Sequence, residues 1–449
     1  MWLLPVFSGL CWLTSRVFYR LSVDGSSVPA RGPVLLVANH PNSLVDPIIV
    51  AGVTGRRVRF LAKAPLFSHP RIGWMVKAAG AIPVYRRQDD PSAMGQNRDV
   101  FEAVISELSA GAAIGIFPEG ISHSEPSLAK LRTGTARMAL SVYAETARTF
   151  PIVPVGIVPA RKERFLSEMR VVLGEPVEWD DLAAKGRKDR EAVRELTTRI
   201  DQALRGVTLN LERWEDRPLV ETAEAIWSLH VERAEGPAQE MRRFETIARI
   251  LAAVRSGSEE RWKSVQRDLS RHYRRLAFFN FGPADLLADV RVPTGVRWSA
   301  RRIYLLGVPT VALAIVGHIL FWVPFQLTRV LTLKARPALD RVSTYKLLNG
   351  MLTYSGWVLA VSAVGVLARG WGVGLALMVL LPPLGVASLW IRERWRWGYH
   401  DVRRFMILRT RGDVLGELLS EQKRLGIELE ALVEVWDAGS LQSDSDRED

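Results

Sequence analysis

Cysteine is almost missing from this chain: Cys11 is the single one among 449 residues. One thiol excludes an internal disulfide and any zinc site built from several cysteines. Cys11 lies in an apolar stretch, where it reads as a small buried hydrophobe. Acidic charge is also in short supply. Sixty Lys and Arg face 48 Asp and Glu, a net charge of +12. Such a balance suits nucleic acid, an anionic membrane surface or an acidic substrate. No zinc spacing, RNA-binding aromatic signature or helix-turn-helix pattern is evident, and much of the arginine excess flanks hydrophobic segments. The expectation is therefore no nucleic-acid partner.

Charge of either sign is lacking altogether in three stretches: Ile303 to Thr328, Leu347 to Ala368 and Gly370 to Ile391. Each is long enough to cross a bilayer core of about 30 Å at about 1.5 Å per residue. Seven of the fifteen tryptophans fall between Trp298 and Trp397, several at the ends of these stretches, as in an interfacial belt. The alternative, a buried soluble bundle, would need a very large core. A lipid bilayer is the expected partner and the membrane the expected location.

Three full crossings would separate basic segments that should lie together. Arg329 to Lys346 holds five basic residues and one acid, and Arg392 to Arg411 holds seven arginines with Glu393 and Asp401. Short basic segments beside a span normally stay in the cytoplasm. The conflict vanishes if Ile303–Thr328 enters and returns or lies at the interface. Pro309 and Pro324 can break a helix there. The other two stretches then form a hairpin through Arg369-Gly370.

What is present elsewhere sets the domain map. Residues 1–22 read as an N-terminal membrane-anchor helix, without the cleavage site of a signal peptide. From 23 to 205 short apolar runs (VLLVA, GAIPVY, AIGIFP, PIVPVGI, RVVLG) alternate with helical segments such as Asp99–Ser109 and Gly134–Ala147. This predicts an α/β domain, a mostly parallel sheet flanked by helices. A charged helical extension over 206–300, membrane segments over 301–391 and a basic then acidic tail over 392–449 follow. From Gly412 to Asp449 eleven acids face three bases, and the last residues, SLQSDSDRED, are expected to be disordered.

Four stretches in the α/β part can carry chemistry. In VANHPNSLVDP an apolar run stops at Asn39-His40, and Asp46 follows six residues after the histidine. On a regular helix that spacing leaves the side chains about 120° apart, so a meeting of His40 and Asp46 requires a turn between them. Pro41, Asn42 and Ser43 supply turn chemistry, and Pro47 biases Asp46 away from the helical region. Gly80 to Arg87, GAIPVYRR, ends an apolar strand in two arginines. Phe117 to Ser122, FPEGIS, ends one in a turn with a carboxylate, followed by Lys130-Leu131-Arg132-Thr133-Gly134 at a helix start. A guanidinium beside a helix N-terminus is a plausible phosphate site. The fourth stretch, Ile152 to Gly156, is an apolar strand that could wall a pocket.

In this order the four resemble the motif blocks of the glycerophospholipid acyltransferase family, the enzymes that acylate glycerol-3-phosphate and lysophosphatidate. ANHPNSLVDP is similar to its His–Asp block, GAIPVYR to its arginine block, FPEGIS to its Pro-Glu-Gly block and IVPV to its proline block. LRTG resembles its basic-residue-before-glycine element, with Arg132 where lysine is frequent. The resemblance covers roughly residues 1–205 and makes 23–205 the acyltransferase domain. The family usually has four residues between His and Asp, whereas here there are five. That spacing, Val207-Thr208-Leu209-Asn210 and the C-terminal hydrophobic segments resemble the yeast-type glycerol-3-phosphate/dihydroxyacetone-phosphate acyltransferases.

The resemblance implies O-acyl transfer from a thioester, acyl-CoA or acyl carrier protein as co-substrate, to a phosphorylated glycerol acceptor, with no further cofactor and no metal. His40 is the expected general base and Asp46 its orienting partner. No reactive cysteine or Gly-x-Ser-x-Gly elbow lies near the pair, which favours direct transfer in a ternary complex. Arg86 and Arg132 are the expected phosphate ligands, with Gly120, Ser122 and Gly134 lining the acceptor site and Pro154 walling the acyl pocket. Glu119 is expected to bond the acceptor hydroxyl or to orient an arginine. Lysophosphatidate or another lysophospholipid remains an alternative acceptor, and a non-catalytic lipid-binding membrane protein the alternative of another class.

Overall fold

The computed structural model describes residues 4–70, 72–86, 92, 95, 97–231, 237–287 and 308–445. Contacts divide the chain into two compact units. The first takes Met1–Asn210, Gly236–Arg242 and Pro337–Tyr345, and the second takes Leu211–Glu235, Arg243–Arg336 and Lys346–Asp449.

The first unit is built on a seven-stranded sheet in the order β1-β7-β6-β2-β5-β3-β4. Its strands are β1 (Tyr19–Gly25), β2 (Val34–Ala38), β3 (Val58–Lys63), β4 (Ile82–Val84), β5 (Ala113–Ile116), β6 (Ile152–Pro159) and β7 (Ser167–Leu173). All neighbours pair in parallel except β6 and β7. Parallel strands need crossover connections, and α2 (Val45–Thr54), α3 (Gly73–Ala78), α4 (Asn97–Ser109) and α5 (Gly134–Thr146) supply them. Every residue of β2 is buried, as expected of a strand covered on both faces. Later in the chain, α7 (Arg190–Arg205, after the short α6, Asp180–Ala183) packs through Ala192, Val193, Leu196, Ile200 and Leu204. That spacing of three and four residues is one helix face. Asp189 caps it, accepting from the backbone N–H groups of Glu191 and Ala192.

The expected mostly parallel α/β sheet is therefore present, with two strands more than the apolar runs suggested. The strand β3 (VRFLAK) carries a base at each end. The other, β1, falls inside the segment expected to be anchor helix. The helix α1 runs Leu4–Phe18, and Tyr19 starts a strand in register with Ser167. Residues 19–22 are thus sheet, because a buried Tyr19 and a free edge on β7 outweigh continuation of the helix.

In the second unit α8 (Arg217–His230) and α10 (Glu259–Phe279) form the charged helical part, with most of α9 (Pro237–Gly257) between them. Ser258 separates the last two and caps α10 through the Arg261 N–H. The acidic C-terminal segment is a helix, Gly412–Ser445. Glu417 and Glu421 meet Arg275, and Glu430 meets His230. The helix is assigned as far as Ser445, and Leu425, Leu429 and Leu432 are buried along its earlier turns. Residues 446–449 lie outside the described residues.

Among the described residues, two helices are long and apolar enough to cross a membrane, Val342–Arg369 and Trp371–Ile391. The latter continues to Thr410 as one helix. Between them stands Gly370 with φ of +89°, a backbone conformation that glycine adopts freely. The third stretch is a pair, Ala312–Leu320 and Trp322–Ala335, bent by 52° at Phe321. Pro324 explains the bend. It cannot donate to the Leu320 carbonyl, and its ring would clash there in a continuous helix. Pro309 is the second residue of the described helix Val308–Leu320.

Candidate active site

The site forms where β2 leaves the sheet. Asn39 replaces the next rung of the ladder with its side chain: Nδ2 donates to the Ile157 carbonyl at 3.0 Å, and Oδ1 accepts the Ile157 N–H at 2.7 Å. The chain can then turn away without stranding buried backbone groups. Pro41 to Leu44 make the turn, with Ser43 at φ +51°, and α2 begins at Val45.

Asp46 is the second residue of α2, not an extended one as Pro47 suggested. Pro47 falls in the first helical turn, where a missing N–H costs no hydrogen bond and the fixed φ suits the helix. From there the fully buried Asp46 reaches back to the turn. Its Oδ2 accepts the Asn42 N–H at 2.7 Å and lies 2.8 Å from His40 Nδ1. Because that oxygen accepts from Asn42, Nδ1 carries the proton, and the lone pair of a neutral His40 ring sits on Nε2. Burial pushes the Asp46 carboxyl above the usual carboxylate range, opposed by the hydrogen bond from His40, the Asn42 N–H and the charge of Lys162. The His40 ring stacks on Phe117, with centroids 4.0 Å apart.

The turn of the Pro-Glu-Gly segment holds His40 on both sides of its peptide. Glu119 Oε1 accepts the His40 N–H at 2.9 Å, and the His123 N–H donates to the His40 carbonyl at 3.2 Å. Glu119 Oε2 accepts the Ala129 N–H at 2.8 Å and contacts His123 Nε2. The Glu119 side chain is completely buried, and its oxygens meet N–H groups of the protein itself. A carboxylate so placed ties the Pro-Glu-Gly loop to the His40 turn. Glu119 in turn holds the His123 imidazole above its ordinary value.

The remaining expected residues cluster around the same turn. Arg86 Nη1 donates to the Gly120 carbonyl at 2.8 Å. Gly120 has φ +73°, which L side chains rarely adopt, and a Cβ there would lie 3.6 Å from Arg132 Cγ. The Arg132 N–H donates to the Pro118 carbonyl at 2.8 Å, while its side chain is exposed beside Gly134, the first residue of α5. Ser122 Oγ accepts the Ser43 N–H at 3.1 Å and so pins the His–Asp turn to this loop. Pro154 is buried in β6 opposite Val37 and packs against the Gly174 backbone. Arg87 lies outside the described residues.

Several site residues carried little signal in the sequence. The i,i+4 spacing of Glu119 and His123 is the one that could have been noticed. Asn42 Nδ2 donates to the Tyr19 hydroxyl at 2.9 Å, which donates to the Lys162 carbonyl at 2.7 Å. Burial pushes the Tyr19 phenol up to about 12, so it stays a donor.

A turn thus joins the His40–Asp46 pair to the Pro-Glu-Gly loop beside Arg86 and Arg132. Residues 20–158 match the family model described as Acyltransferase. Among individual proteins, the glycerol-3-phosphate O-acyltransferase 1 of Saccharomyces cerevisiae is 26% identical over 316 residues, covering 49% of this chain and 42% of that protein. Glycerol-3-phosphate O-acyltransferase 2 of the same yeast is 32% identical over 134 residues, 29% of this chain and 18% of that protein. The chloroplastic 1-acyl-sn-glycerol-3-phosphate acyltransferase of Arabidopsis thaliana is 28% identical over 168 residues, 36% of this chain and 44% of that protein. The match spans less than half the length of each of these relatives. A solved 1-acyl-sn-glycerophosphate acyltransferase from Thermotoga maritima aligns with 45% of this chain and 77% of its own, at 20% identity and a TM-score of 0.34.

Proposed function

We propose that this protein is a membrane-bound O-acyltransferase that moves an acyl group from a thioester to a hydroxyl of glycerol-3-phosphate or dihydroxyacetone phosphate. The observation that carries this reading is His40, with Asp46 on Nδ1 and Nε2 free to accept a proton, one peptide link from the Arg86–Gly120–Arg132 cluster. Nε2 takes the hydroxyl proton as the oxygen attacks the thioester carbonyl. The sulfur then leaves as the tetrahedral intermediate collapses, and the proton on His40 goes to the departing thiolate. Asp46 stabilises the imidazolium between the two steps. Arg86, Arg132 and the N-terminus of α5 suit a phosphate, which favours a small phosphorylated acceptor. A lysophosphatidate acceptor is the second reading, favoured by the chloroplastic relative.

Membranes containing the protein, given a radiolabelled acyl thioester, should acylate glycerol-3-phosphate or dihydroxyacetone phosphate faster than lysophosphatidate. The opposite order would establish the second reading, and transfer to none of the three would remove the first.

The proposed topology places the first unit, both basic segments and the acidic C-terminal helix on the cytoplasmic face. Its support is that Pro337–Tyr345, which follows the bent helix pair, belongs to the first unit. Val342–Arg369 and Trp371–Ile391 then go out and back, returning Arg392–Arg411 to the same side. Cysteines introduced at the exposed positions Ala338 and Thr410 in a Cys11→Ser background test this in intact cells. An impermeant thiol reagent should label them only after the membrane is opened; labelling before would rule the arrangement out.

A further inference from the structure

Behind the His–Asp turn lies a lysine outside the family match. Lys162 follows β6 and is mostly buried, and its ammonium has two protein partners. Nζ donates to the Pro41 carbonyl at 2.9 Å and to Ser124 Oγ at 2.6 Å. Pro41 is the residue after His40, and Ser124 the residue after His123. The lysine therefore bridges the two loops that make the site. Its own backbone is fixed in turn. The Lys162 carbonyl accepts from the Tyr19 hydroxyl and from Ser343 Oγ. Ser343 is fully buried and belongs to Pro337–Tyr345, the short segment of the first unit that runs into the first turn of the apolar helix Val342–Arg369. Tyr19 closes the circle by accepting from Asn42, whose N–H bonds Asp46.

We propose that Lys162 is a positioning residue for the transfer reaction, clamping the His40–Asp46 turn to the Pro-Glu-Gly loop, and that Pro337–Tyr345 holds the clamp in place. The inference rests on the acyltransferase reading. Two physical effects follow. The two hydrogen bonds fix the peptide after His40, so that Nε2 meets the acceptor hydroxyl in one orientation. The ammonium also places a positive charge near Asp46, favouring its ionised form. The charged and titratable groups around Lys162 are Asp46, Asp340 and Glu163, which favour its charge, together with Tyr19 and His123. Burial opposes that charge.

The experiment uses the full chain in membranes and compares wild type, His40→Ala and Lys162→Met by acyl transfer. Lys162→Met should lower kcat about 10- to 150-fold, the range of a lost charge-assisted hydrogen bond, with both KM values within about twofold. The acid limb of its pH–kcat/KM profile should also move to higher pH, because loss of a nearby positive charge makes the His40–Asp46 unit easier to protonate. A kcat within about threefold of wild type overturns the inference, since a lost charge-assisted contact costs more. So does a fall in kcat with an unmoved acid limb, which is the signature of packing damage alone. If Lys162→Met does not accumulate, Ser124→Ala decides, because it removes one leg of the clamp and leaves the lysine in place. Its kcat should fall about 3- to 10-fold, and an unchanged kcat overturns the inference. Inactive wild type would count against the acyltransferase reading itself, a different outcome from an active wild type matched by Lys162→Met.

Discussion

Replacing His40 by alanine in the purified, folded protein should lower acyl-transfer turnover at least about 100-fold, the usual scale of losing a general base. The expectation follows from the geometry. Asp46 accepts a hydrogen bond from Nδ1–H, so the ring's lone pair lies on Nε2, and no other neutral base among the described site residues is placed to replace it. His123 is the nearest candidate, and its Nε2 is engaged with Glu119 while its Nδ1 accepts the Glu125 N–H. Asp46→Asn should also be severe, on the order of 100-fold or more. Asparagine can keep a carbonyl oxygen near His40 Nδ1 and the Asn42 N–H, but it brings no charge to stabilise the imidazolium. The two variants should thus differ in fold. His40→Ala opens space above Phe117 at a partly exposed position, whereas Asp46→Asn changes a fully buried group that closes the turn. Measuring turnover alongside thermal unfolding separates these effects. A folded His40→Ala protein with wild-type turnover would sink the base assignment.

The sequence told more about the chemistry than about its supports. His40 and Asp46 were legible through the resemblance carried by four motif blocks in order, and the structure brings the pair within hydrogen-bond distance. Local rules failed where tertiary contacts outweigh them. Pro47 argued against helix at Asp46, yet proline in a first helical turn is favourable. Arginine in YRLSVDG hid β1, although Arg20 reaches Glu168 and the Leu166 carbonyl along the sheet edge while Tyr19 is buried. The partners of Glu119 were not legible, because a sequence does not show which N–H groups will surround a carboxylate. Three surround this one, from His40, Ala129 and His123. Long-range partners left no trace at all. Nothing in ALDRVSTY marks Ser343 as a neighbour of Lys162, because a bond across 181 residues has no periodicity to betray it.

Arg132→Ala should raise the KM of the phosphorylated acceptor about 10- to 150-fold, the worth of a charge-assisted contact of roughly 1.5–3 kcal/mol. The KM of the acyl thioester should stay within about twofold, since only the acceptor phosphate would lose a ligand. Arg132 is the cleaner of the two arginine tests. Its side chain is exposed, and among the described residues only its backbone N–H is used, on the Pro118 carbonyl. Truncating it therefore removes charge from the site without disturbing the turn. Arg86 is different, because its guanidinium also holds the Gly120 carbonyl. Arg86→Ala should raise the acceptor KM and lower kcat together, as the Pro-Glu-Gly turn that fixes His40 loosens. The two variants distinguish ligand from scaffold. If Arg132→Ala weakens both substrates equally, the phosphate is held elsewhere and the loss reports damage to α5. If it weakens neither, the N-terminus of α5 and Arg86 suffice without it. The outcome expected is a selective loss for the acceptor, larger at low ionic strength, where an exposed guanidinium is least screened.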